Sequence, residues 1–139
     1  MATITVPALI ITNVSDTTVS LKVSYTLTPS AIEKLAGTVF SESIQAIGDD
    51  PGILGDIIVT TFSTQVFAVN SATINVARTR TRNVLKSNMN EDSGFEVTGA
   101  EQVDEVFARV TITYAANAPA VPTLPLPSNS NIVTGAWKG

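Results

Sequence analysis

The sequence predicts an all-β protein: a single antiparallel β-sandwich, Greek-key-like and of about seven strands, with one short connector helix and an extended C-terminal arm. Three observations predict it. Apolar and polar residues alternate with a period of two, turn-forming residues punctuate the alternation, and no segment carries a sustained helical period.

The clearest alternation runs from Thr18 to Thr28. Val19, Leu21, Val23, Tyr25 and Leu27 occupy one face, and Ser20, Lys22, Ser24 and Thr26 the other, the pattern of a strand buried on one side. The β-rich stretch Ile4 to Val14 precedes it, and Asn13-Val14-Ser15-Asp16-Thr17 between them supplies turn residues, so the two predict a hairpin. Ser30, with Glu33 three positions on, forms a capping box, and Gly37 stands where a helix should stop. Together they predict a helix of two turns at most. Further strands are expected over 38–47, 56–62, 64–69 and 73–85, with the turn cluster Gly48-Asp49-Asp50-Pro51-Gly52 after the first of these. The polar stretch Ser87 to Gly99 reads as a long loop. The last strand, 105–114, sets Val106, Ala108, Val110, Ile112 and Tyr114 on one face and Phe107, Arg109, Thr111 and Thr113 on the other. The connector helix and the long loop are expected to carry the chain between sheets.

The body is thus residues 1–115. Beyond it, residues 116–139 form a Pro-rich arm: Pro119, Pro122, Pro125 and Pro127 lack the donor that a sheet interior needs and favour an extended chain. Apolar residues persist in the arm at Val121, Leu124, Leu126, Ile132, Val133 and Trp137. Such an arm either folds back on its own domain or reaches to another subunit, and both readings stay open.

Composition narrows the function. Of 139 residues 44% are apolar but only 14% charged, against about 25% in a typical soluble protein. A surface so poor in charge fits a protein that covers much of its outside with neighbours. The net charge of −4 argues against nucleic acid or an anionic membrane as partner. The chain begins without a basic stretch leading into an apolar one, and no apolar run spans a bilayer. The expectation is therefore a protein made in the cytoplasm, with no signal peptide or membrane segment.

There is no His and no Cys. That removes His-based acid–base and nucleophilic catalysis and the ordinary structural zinc sites. Phosphate-binding glycine loops are also missing, so the reading is of a protein that is no enzyme and uses no cofactor. Two constellations remain. Arg78, Arg80 and Arg82 alternate with Thr79 and Thr81, which points all three guanidinium groups to one face and demands anions opposite. Asp104, Glu105, Glu91 and Asp92 are the candidate partners within the chain; an acidic loop of a neighbouring subunit is the second possibility, and a phosphate or sugar acid the third and lesser one. Because Ile74 and Val76 share the arginines' parity, the strand is expected to pass from core to solvent or to bulge. The acidic clusters form the second constellation. Asp49, Asp50, Asp56, Asn88, Asn90 and Asp92 offer oxygens of the type calcium takes, but Ser93 and Gly99 stand where a calcium loop needs Gly and Glu.

In general character the chain resembles subunits of bacteriophage particles: small β-sandwiches without Cys, rich in Thr, Ser, Ala and Val, with extended arms. The resemblance implies a structural subunit of a virion (a decoration, head or tail protein) that forms a homo-oligomer or binds other subunits. Arg78, Arg80, Arg82, Val121, Leu124, Leu126, Ile132, Val133 and Trp137 are then the contact candidates. The alternative is a carbohydrate- or calcium-binding sandwich module, with small-molecule binding the lesser expectation and Trp137 as the stacking aromatic.

Overall fold

The alternating segment becomes the central strand of one sheet. A computed structural model describes residues 2–48, 57–89, 104–120, 124 and 127–135. In it β1 (Thr3–Ile4), β2 (Ala8–Asn13) and β3 (Thr18–Thr28) open the chain. All five apolar positions of β3 are buried, as their parity requires. β1 and β2 lie end to end along one edge of β3, with Thr3 opposite Thr28 and Ala8 opposite Ser24. The predicted single strand 4–14 divides because Pro7 falls between the two pieces and has no N–H for the ladder. Along the other edge of β3 runs β7 (Val76–Leu85), antiparallel and without a register shift from Leu27↔Val76 to Thr18↔Leu85.

The second sheet is built on β4 (Val39–Gly48). One of its edges carries β5 (Ile57–Thr61) and β6 (Gln65–Ala68) end to end, and the other carries β8 (Asp104–Ala116). The far edge of β8 takes β9 (Ser128–Asn129) and β10 (Val133–Gly135). The apolar faces of the two sheets share one core. Leu21, Val23 and Leu27 of the first meet Phe40, Ile44, Val106, Val110 and other residues of the second in it. Phe40 is fully buried, with the rings of Phe67 and Tyr114 at 5.7 and 5.8 Å.

Ten strands are present among the described residues against about seven expected; the division at Pro7 adds one and the arm adds two. The two crossings expected between sheets are present. The first is α1 (Ala31–Ala36), which joins β3 to β4; the second joins β7 to β8 and starts with α2 (Lys86–Met89). Residues 87–89, predicted to be loop, belong to α2, and Met89 explains the difference: its side chain is buried in the core and draws the chain inward.

The helix signals act as read. Ser30 Oγ accepts from Glu33 N at 3.3 Å, and Glu33 Oε1 accepts from Ser30 N at 2.7 Å. Gly37 ends α1 in the left-handed region at φ 63°. A Cβ there would meet nothing nearer than the Val69 carbonyl at 3.9 Å, so the strain is purely conformational. Gly37→Ala is therefore expected to lower the unfolding free energy by about 1 kcal/mol, read from urea denaturation.

The described part of the arm folds back on its own body. Leu124 and Val133 pack against the core. Ser130 N donates to Ala108 O and Ser130 Oγ accepts from Ala108 N, each at 2.8 Å. The Asn131 side chain then spans to the first sheet: Leu9 N donates to its Oδ1 at 2.8 Å, and its Nδ2 donates to Leu9 O at 3.1 Å. One amide side chain thus imitates a neighbouring strand on the outer edge of β2. Of the two readings left open for the arm, these residues take the first.

Candidate functional site

Among the described residues, the largest concentration of buried charge lies where β3, β4 and β7 face one another between the sheets. In β4 the apolar parity reads Phe40, Glu42, Ile44, Ala46, so the pleat turns the Glu42 side chain into the core, where none of it is exposed. A bare carboxylate there would be untenable, and the neighbouring strands supply its partners. Tyr25, on the inward face of β3, donates its hydroxyl to Glu42 Oε2. Arg78 binds the carboxylate with both ends of its fork, Nε to Oε2 at 3.1 Å and Nη2 to Oε1 at 3.2 Å. Arg80 Nη1 donates to Oε1 at 2.5 Å. One carboxylate therefore ties the two sheets together through three strands.

The arginines reach further. Arg78 also donates to Gln65 Oε1 at 2.8 Å and stands over the Phe67 ring at 4.6 Å. Arg80 donates to the Ser63 carbonyl at 2.9 Å, and Arg82 Nε to Thr60 Oγ1 at 2.8 Å. The row thus closes the side of the molecule where β7 lies over β5 and β6. On the opposite side Ser130 and Asn131 join β8 to β2, so polar clasps close both flanks.

All three arginines share a face, as their parity requires, and an acid outside the proposed set, Glu42, meets Arg78 and Arg80. Glu105 shares the outward parity of β8, opposite the buried Val106, whereas only an inward acid can meet an inward row. Glu91, Asp92 and the side chain of Asp104 lie outside what the structure describes. β7 does not bulge: Val76 packs on the core, Arg78 and Arg80 lie largely covered on the inner face, and Arg82, further along the same row, is exposed. Glu42 could have been found from sequence. An acid at a core parity in one strand and bases at a core parity in another are two misfits that satisfy each other.

A second buried carboxylate, Glu33, closes the capping box of α1 and also accepts from Tyr114 Oη at 2.7 Å. Both acids obey the same balance. Burial works against the charge of Glu42, but the hydrogen bonds from Arg78, Tyr25 and Arg80 outweigh it and hold the carboxyl below its ordinary range. Burial likewise opposes charge on Glu33, and the bonds from Ser30 and Tyr114 again prevail. Burial, then the bond to Glu33, pushes the Tyr114 phenol up to about 12; burial and Glu42 raise Tyr25 as well.

These shifts set an expected pH profile. Acids held low in the fold add stability that is present above their unfolded value near 4.3 and lost as pH falls through the folded one. Phenols held high add stability that is present below about 10 and lost as pH rises toward the folded values. Unfolding midpoints in urea should be level from about pH 5 to 9 and fall on both sides. A stability that keeps rising below pH 4 would contradict the assigned bonds.

The arrangement is suited to holding sheets together. Each oxygen of Glu42 is already engaged at least twice and the group has no exposed surface, so it has neither room nor free valence for a substrate. Among the contact candidates, Leu124 and Val133 are turned to their own core and Ile132 is exposed, while Val121, Leu126 and Trp137 lie outside the described residues. Of the calcium candidates, Asn88 is exposed in α2; Asp49, Asp50, Asp56, Asn90 and Asp92 lie outside the described residues. Among the described residues no three acidic side chains gather as a metal site, and no helix is long and apolar enough to cross a membrane.

Fold and site together define an all-β protein of two antiparallel sheets, pinned by a buried carboxylate and closed by polar clasps on both flanks. No known protein family matches the chain, and no curated protein is similar to it in sequence.

Proposed function

We propose that this protein is a non-enzymatic structural subunit of a repeated assembly, most concretely a bacteriophage-type virion component such as a decoration, head or tail protein. The observation that carries the reading is the surface. Leu35, Ile74 and Val6 are exposed to 82%, 80% and 78%, and Ile32, Val66 and Ile58 also stand largely in solvent. Ile32 and Leu35 lie one turn apart on α1, and Ile74 precedes β7 at the same end of the molecule, where β3 ends and β4 begins. The chain has few charges to dilute such patches, and it places Glu33 and Glu42 inside, with Arg78 and Arg80 largely covered. Apolar faces of this kind are what neighbouring subunits cover.

The described part of the arm is spent on its own body, so the reading places intersubunit contact on the strand faces and the α1 end. Catalysis has no part in it, because the buried carboxylates are engaged and closed to solvent.

Native mass at several protein concentrations tests the proposal. Sedimentation should reveal a large oligomer, and Leu35→Glu with Ile74→Glu should dissolve it while leaving the fold intact. A strict monomer at every concentration would sink it.

A further inference from the structure

The outer edge of β7 is the longest regular feature of the protein that no described residue covers. Its ten residues pair with β3 on one side only, with no bulge, so alternate backbone N–H and C=O groups point outward as an open template. The outward face of the strand carries Ala77, Thr79, Thr81 and Asn83, all exposed and uncharged. The inward face carries the arginine row, and among the described residues its charge is not balanced. Arg78 and Arg80 share one carboxylate, while Arg82 is exposed and, among the described residues, is bonded to Thr60 alone, through Nε. Among the described residues three cations thus stand against a single anion along one strand edge.

We infer that this edge accepts an extended acidic segment of a partner chain as an added strand, with carboxylates at its inward positions beside Arg80 and Arg82. A strand laid against β7 brings its side chains within about 5 Å of the row, close enough for each charge to matter. The same row decides what is refused. A second copy docking through its own β7 would set arginine against arginine, and a basic or wholly apolar strand would leave the surplus charge covered and unpaired. The backbone edge supplies affinity that ignores sequence, and the arginines supply the choice. The inference rests on the assembly reading for the existence of a partner chain, and it names the chemistry of that partner.

The probe is a short labelled peptide with glutamate at alternate positions and threonine or valine between, followed by fluorescence anisotropy on the full chain. Controls are the same peptide with lysine for glutamate, and one N-methylated along its backbone. The glutamate peptide should bind, weaken with added salt, and lose about tenfold in affinity to Arg82→Glu, a substitution at an exposed side chain that the fold tolerates. Both controls should fail to bind. Equal binding of the lysine peptide, indifference to Arg82→Glu, no binding of any peptide, or dimerisation through β7 would each overturn the inference. Native mass separates the two claims. A monomer that binds the glutamate peptide keeps this inference and defeats the assembly reading, and an oligomer that ignores every peptide does the reverse.

Discussion

Glu42→Ala is expected to lower the unfolding free energy by about 3 kcal/mol or more, because it strands two guanidinium groups and a phenol in a space built for an anion. Arg78 and Arg80 keep side-chain exposures of 18% and 11%, enough for partial relief by turning outward, which places the loss toward the lower end for buried ion pairs. Urea denaturation at pH 7 gives the number. The same variant should flatten the acid limb of the pH profile, leaving the share of Glu33 among the described residues. Replacing the whole cluster at once with apolar residues of like volume should restore most of the loss, since the gain of such a cluster over a hydrophobic filling is small. A change under about 1 kcal/mol in Glu42→Ala would mean that the sheets are held by the apolar core alone.

Deleting residues 118–139 is expected to destabilise the isolated chain by about 4 kcal/mol or more. The deletion removes two bonds to Ala108, two to Leu9 and the packing of Leu124 and Val133. It also bares the outer edges of β8 and β2 together, so the truncated protein should aggregate on warming where the full chain melts cleanly. Hydrogen exchange would show the loss as lowered protection along Val106–Val110 and at Leu9. Unchanged protection at both places would mean that the arm does not hold this flank.

Much of this was legible in the sequence, and the parts that were not have physical reasons. Period two placed β3 to the residue, and the Ser30, Glu33 and Gly37 signals placed α1, because both depend on local rules that few tertiary contacts override. The β1–β2 division was missed although Pro7 announced it. The arm's docking could not be read at all, since Ser130 and Asn131 act through single side-chain bonds to strands far away in sequence, and an isolated Ser or Asn is an ordinary loop residue. The arginine row was legible as a row, but its partner was sought among the loop and strand-end acids where charge usually sits. Glu42 lay hidden inside an apolar alternation, where an acid reads as an interruption until its matching bases are found in another strand.

The order of pairing has a consequence for synthesis on the ribosome. Both central pairings, β3 with β7 and β4 with β8, join an early strand to a late one. The first half of the chain can close little more than the β2–β3 hairpin and the β4 ladder with β5 and β6, and it waits with the other flank of each central strand bare. Such long-separated pairings make folding slow. Glu42 adds to the delay, for it emerges well before either arginine and has no reason to leave water until they arrive. The acid that locks the finished protein therefore keeps the nascent one open, delaying collapse until the strand that completes it has been made.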